Sequence, residues 1–186
     1  MIETAVAVEI SREAINGRTG PLVTICETND GEFVELFCKF SSGCDQGVTN
    51  LAREIVAVCL AADLRLPVPK PYIVSIPSEL IPTISDSKIA SKVASSVPVV
   101  FGSQRVNQFS VWSIGNKVNA SLLQTAAATL VFDGIIQNPD RRVGNPNCLV
   151  KGDEVRLIDH ELALAHGVIL LWKAPWVIGR GIAFGI

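Results

Sequence analysis

Between Phe33 and Phe40 the chain alternates, with Val34, Leu36, Cys38 and Phe40 on one face and Phe33, Glu35, Phe37 and Lys39 on the other. A period of two predicts a strand. The first stretch with strand character lies just before it, Pro21–Glu27. Between the two, Thr28-Asn29-Asp30-Gly31 ends in the Asp-Gly pair that favours a tight turn, so an antiparallel hairpin is expected. Upstream, Asn16-Gly17-Arg18-Thr19-Gly20 reads as a flexible loop feeding the first strand.

A helical period follows the breaker-rich stretch Ser41–Gly47. Leu51, Ile55, Val58 and Ala62 form one stripe of a helix capped by Thr49 or Asn50 and lasting to Asp63. Its flanks, Val56 and Leu60, are apolar too, which predicts burial over most of its surface. The run Leu66-Pro67-Val68-Pro69-Lys70-Pro71 ends it. Strands are expected at Tyr72–Ile76 and Val97–Phe101, with a polar, Ser-rich helix over 85–95 between them. Val118, Leu122, Ala126 and Leu130 then mark a second long helix, from Lys117 to Ile136. A turn-rich loop, Asn138–Asn147, leads into a ribbon of Cys148–Val150 and Val155–Ile158.

Strands around one buried helix come first, and helices with a small ribbon second. That order predicts an α+β protein of two lobes divided between Phe101 and Gln108: residues 1–106 an antiparallel sheet plus one helix, residues 107–186 mainly helical. Composition narrows the function classes. With 48% apolar and 18% charged residues and a mean hydropathy of +0.38, the chain is not a disordered one. A net charge of −2 argues against a broad basic nucleic-acid surface and against an anionic-membrane partner. The longest apolar run, Ile55–Ala62, is eight residues, far short of the ~18 of a spanning helix. Glu3 and Glu9 stand where a signal peptide would be basic and then apolar. Five cysteines without a Cys-x-x-Cys pair suggest neither a disulfide framework nor a zinc knuckle. The expectation is a reduced, cytoplasmic protein.

Several polar residues sit where a core would not place them. Lys39 lies mid-strand between Cys38 and Phe40, either as an edge-strand lysine or as a phosphate-gripping one. Glu54 lies in the most apolar helix, either as a first-turn carboxylate or as the partner of that lysine. Together they suggest an ion pair between a strand and the helix after it. Further on, Asp140 stands in Asn-Pro-Asp-Arg, Asn145 follows five positions later, and Asp159 follows the ribbon. Singly these are turn and cap residues. In this order they supply what phosphoryl transfer requires: a carboxylate to orient the attacking hydroxyl, and amide and carboxylate oxygens for magnesium. Asn147, directly before the ribbon, competes with Asn145 for the amide role. His160 and His166 are the only histidines, so a transition-metal site is not expected. No serine has a Gly-x-Ser-x-Gly context, and Trp112, Trp172 and Trp176 read as core or surface residues.

The loop NPDRRVGNPN followed by IDHE resembles the HipA-like kinase family, an atypical branch related to protein and phosphatidylinositol kinases. The stretch NLAREIVAVCLAADLRLPVPKPYIV resembles that family's Glu-bearing helix and its Leu-Pro-x-Pro turn, and VVFGSQRV its strand into the inter-lobe hinge. The resemblance covers roughly residues 17–162. It implies a two-lobed kinase-like fold holding Mg-ATP between its lobes, with transfer of the γ-phosphoryl group to a hydroxyl, on protein Ser or Thr. Lys39 would grip the phosphates and Glu54 would pair with it. Gly17 and Gly20 would belong to the phosphate loop, and the backbone of Phe101, Gly102, Ser103, Gln104 and Arg105 would meet the adenine. Asp140 would be the catalytic carboxylate; Asn145 (or Asn147) and Asp159 would hold magnesium. Only 25 residues follow Glu161, so an abbreviated C-lobe is expected, and a non-catalytic module that binds nucleotide or a protein partner is the rival reading. As a third reading, the apolar tail with Trp172, Trp176 and Phe184 is a docking surface that a partner or a second copy completes.

Overall fold

Ala5, Ala7 and Ile10 point into the core of a strand, β1 (Glu3–Glu13), that precedes the expected first strand. The computed structural model describes residues 2–15, 17–113, 115–142 and 144–164. Asn16, His166, Trp172, Trp176, Phe184 and the apolar tail lie outside the described residues. The chain divides into two compact units, one built from residues up to Ile55 with Lys70–Arg105, the other from Val56–Pro69 with the chain from Val106 on.

In the first unit, β2 (Leu22–Thr28) and β3 (Phe33–Lys39) form the expected antiparallel hairpin, with Leu22 opposite Cys38 and Glu27 opposite Phe33. Gly31 N–H closes its turn on the Thr28 carbonyl at 3.0 Å. Helix α1 (Val48–Asp63) follows, its residues from Val56 on belonging to the second unit, then β4 (Pro71–Ser75), α2 (Ser87–Ala94) and β5 (Val99–Gln104). The strands close into a barrel in the order β1-β2-β3-β5-β4. The sheet is not wholly antiparallel as expected, because β1 runs parallel to β4, Glu3 opposite Tyr72 and Val6 opposite Ser75. That pairing abolishes the sheet's edges. Inside pack Leu22, Cys26, Leu36, Cys38, Phe40, Tyr72 and Val74.

Two local expectations change. Helix α1 begins at Val48, so Thr49 and Asn50 lie within it rather than capping it; Asn50 Oδ1 accepts from Gln46 N–H at 2.7 Å. Its buried stripe is Asn50, Leu51, Glu54, Ala57, Val58 and Ala61, while Val56 and Leu60 are exposed. The small side chains of Ala57 and Ala61 sit on the buried side, which leaves the larger flanking residues to face water.

The second unit holds the ribbon and a long helix. Strands β6 (Ser110–Val111), β7 (Cys148–Lys151) and β8 (Glu154–Leu157) form a three-stranded antiparallel sheet, and helix α3 spans Leu123–Ile135. The helix starts six residues later than Lys117. Asn119 Oδ1 accepts from Leu122 N–H at 3.1 Å and from Ser121 Oγ at 2.6 Å, a local turn that competes with helix. Trp112, Leu122, Ala126, Phe132, Ile136, Cys148 and Leu157 are among the core residues of this unit. Burial holds the Cys148 thiol up to a pKa of about 11. Among the described residues, no helix is long and apolar enough to cross a membrane.

Candidate functional site

Lys39 ends β3 on the face opposite Cys38 and Phe40, and therefore outside the barrel core. Its Nζ donates to Glu54 Oε2 at 2.8 Å, and the side chains retain only 10% and 3% of their exposure. Two buried charges persist only when paired, because leaving either alone costs several kcal/mol. Phe101 of β5 is the residue directly opposite Lys39, so the two share the outer face. The 101–104 backbone is paired with β3 on one side and β4 on the other. Beyond it, Arg105 N–H donates to the Glu35 carbonyl at 3.0 Å, and the Arg105 side chain pairs with Glu35 at 2.6 Å. Gly17 and Gly20 lie in the loop between β1 and β2, both with positive φ, and Gly20 N–H donates to the Gly17 carbonyl at 3.0 Å.

In the second unit, Asp140 follows α3 and an Asn-Pro turn in which its own N–H donates to Asn138 Oδ1 at 3.1 Å. Asn147 Nδ2 donates to Asp140 Oδ2 at 2.9 Å and reaches the Asp159 carbonyl at 3.4 Å. Asn147 thus joins the loop carboxylate to the segment after the ribbon. Asn145 does otherwise. Its backbone exchanges hydrogen bonds with Arg142, and its side-chain nitrogen lies 3.5 Å from the Asp140 backbone carbonyl. The side-chain contact with the Asp140 carboxylate is made by Asn147, and the 142–145 turn takes up the intervening chain. Both Asn147 (φ 44) and Asp159 (φ 61) adopt the left-handed conformation. Such strain in non-glycine residues collects at functional sites.

A network the sequence reading missed fixes this loop. Arg141 is buried; its Nε donates to Asp133 Oδ2 at 2.8 Å, and Nη1 donates to the Pro146 carbonyl at 3.0 Å and to the Asn147 carbonyl. Nη2 lies 3.1 Å from His160 Nε2. A guanidinium only donates, so Nε2 accepts and the imidazole carries its proton on Nδ1. Asn138 Nδ2 donates to Asp133 Oδ1 at 3.1 Å. One guanidinium therefore ties α3, the loop after it and the segment after β8 together. Asp133 was findable. It is a carboxylate inside an apolar helix, the same signal that picks out Glu54.

The donor set suits magnesium. Asp140 brings a carboxylate oxygen beside Asn147, whose amide oxygen is a hard donor of the kind this ion prefers, and the carboxylate of Asp159 lies within 4.8 Å of that of Glu161.

The family model described as HipA-like kinase matches residues 7–170. No curated protein matches the chain.

Proposed function

This chain belongs to the HipA-like kinase family, and from that premise we propose that it binds Mg-ATP and transfers the γ-phosphoryl group to a hydroxyl of a protein serine or threonine. A kinase-type function comes with the family; the nucleotide, the acceptor and the residue roles are our reading. The observation that carries it is the hydrogen bond from Asn147 to the Asp140 carboxylate, with a second reach to the Asp159 backbone carbonyl, which sets the loop carboxylate and the amide beside the segment that bears Asp159.

In the first unit, Lys39 holds the phosphates and Glu54 holds Lys39 in place. Gly17 and Gly20 form the loop over the phosphates, and the stretch from Phe101 to Arg105, at the end of β5 beside Lys39, contacts the base. In the second unit, Asp140 orients the acceptor hydroxyl and takes its proton. Asn147 and Asp159 are the residues that would hold magnesium, which when bound neutralises phosphate charge. Arg141 positions Asp140 and Asn147 through the loop backbone. Phosphoryl transfer asks little covalent chemistry of the protein, so positioning and charge carry the rate. Five free cysteines are consistent with work in the reducing cytoplasm.

The test is calorimetric titration with ATP, with and without magnesium, of the wild type and Asp159→Asn. Asn tolerates the left-handed backbone at 159. The reading expects the variant to lose magnesium-dependent affinity far more than metal-free affinity. Equal losses under both conditions contradict the ligand role.

A further inference from the structure

Lys92, on the last turn of α2, is buried to 17% of its side-chain exposure yet faces backbone rather than a nucleotide. Its Nζ donates to the Thr19 carbonyl at 2.9 Å and to the Gly20 carbonyl, and lies 3.6 Å from Glu13 Oε2. Thr19 and Gly20 are both buried, and buried carbonyls need donors. A pocket of about 390 Å³ adjoins the loop, and its lining includes Arg18, Thr19, Ser42, Ser91, Lys92 and Ser95.

The segment around Gly43 is stitched to the same helix end. Ser42 Oγ donates to the Lys92 carbonyl at 2.7 Å, Ser42 N–H to Ser96 Oγ at 3.2 Å, and Val97 N–H to Ser41 Oγ at 3.0 Å. Arg18 pairs with Asp45 from the loop's other side. The fit leaves no spare room. A Cβ on Gly43 would stand 2.5 Å from the Thr19 carbonyl oxygen and 3.0 Å from Lys92 Cε. One on Gly20, whose φ is +55°, would meet Glu13 and Lys92 within 2.7 Å.

We infer that Lys92 is a positioning residue for phosphate recognition: from α2 it clamps the 17–20 loop in the conformation that covers the nucleotide's phosphates. The inference rests on the nucleotide reading above and adds a residue from outside the loop, strand and helix that the reading uses. The ammonium of Lys92 is turned to two loop carbonyls and Glu13, so it acts on the phosphates through the loop it holds. Loss of Lys92 therefore weakens ligands in proportion to the phosphates they carry and spares the nucleoside.

The test compares Mg-ATP and adenosine binding by calorimetry in the wild type, Lys92→Met, Lys92→Arg and Gly43→Ala. The expected result for Lys92→Met is an about tenfold loss of Mg-ATP affinity, with adenosine affinity within twofold and partial recovery in Lys92→Arg. Hydrogen exchange of the Gly20 and Leu22 amides should quicken in parallel. Gly43→Ala displaces the loop while keeping Lys92, and should show the same selectivity should Lys92→Met fail to fold. Unchanged Mg-ATP affinity, or equal losses for ATP and adenosine, overturns the clamp. A wild type that binds no Mg-ATP overturns the nucleotide reading itself, and the clamp with it.

Discussion

Lys39 Nζ and Glu54 Oε2, fifteen residues apart in sequence, form a buried 2.8 Å ion pair between the end of β3 and the middle of α1. Breaking a buried ion pair by removing one partner costs on the order of 3–5 kcal/mol. Lys39→Met and Glu54→Gln should each lower stability and weaken ATP binding. The double variant should lose less than the two together, by about 1 kcal/mol or more, because contacting residues are not additive. A double-mutant cycle read by urea midpoint and calorimetry checks this; strict additivity rejects the coupling.

What could be read beforehand was what stood out against the apolar pattern. Lys39 and Glu54 were visible as charges among Cys38, Phe40, Leu51 and Val58, and the β2–β3 hairpin as clean alternation around Asp-Gly. Strand β1 was not, because two of its inward residues are alanines and the register shifts between Ala7 and Glu9, which breaks the period of two. Its outward residues, Val6 and Val8, are the larger apolar ones, so the pattern looks inverted. That Asn147 rather than Asn145 meets the Asp140 carboxylate is not legible beforehand, because nothing in the residue string shows that Arg142 and Asn145 close a turn on each other. The partners of Lys92 are backbone carbonyls, which leave no mark on a sequence.

Arg141 is the next point of failure. Its side chain is 1% exposed and binds Asp133, two loop carbonyls and His160. Lysine carries the charge without the planar fork that serves several acceptors at once. Arg141→Lys keeps the charge but loses several of these bonds, and should lower stability by roughly 1–3 kcal/mol, the size of leaving buried acceptors without a donor. A thermal midpoint within 1–2 °C (roughly a few tenths of a kcal/mol) of the wild type would show that the network is replaceable.

The choice of amide ligand is open to a direct comparison. Glycine accepts the φ of 44° at Asn147 without strain, so Asn147→Gly removes the amide and keeps the backbone. Asn147→Gly should raise the magnesium concentration needed for half-maximal ATP binding about tenfold, the size of losing one ~1.4 kcal/mol interaction. Asn145→Gly should change it little. The reverse pattern would return the ligand role to Asn145.

Thiol reactivity reports the core of the second unit. Cys148 is fully buried and its pKa is pushed up to about 11, so at pH 8 it is a protonated, inaccessible thiol. A hydrogen bond with Cys26, and then burial, raise the Cys38 thiol well above its usual range. Iodoacetamide at pH 8 should label Cys44 and Cys59 first, both only partly buried, and reach Cys148 only with unfolding. Peptide mapping of the labelled native protein checks the order; early labelling of Cys148 would contradict the packing around β7.

The central claim is phosphoryl transfer, and Asp140 separates it from binding alone. Asp140 takes its position from Asn138 and Asn147, and in this account it acts on the attacking hydroxyl while the phosphates are held elsewhere. The decisive measurement incubates wild type and Asp140→Ala with magnesium and γ-labelled ATP, alone and with cell lysate, and sets label transfer beside calorimetric ATP affinity. The account predicts transfer to protein by the wild type, a loss of about 10²-fold or more in the variant, the range for a missing general base, and nearly unchanged affinity. Wild type that binds Mg-ATP and transfers no label, or a variant that transfers as well as the wild type, would contradict it.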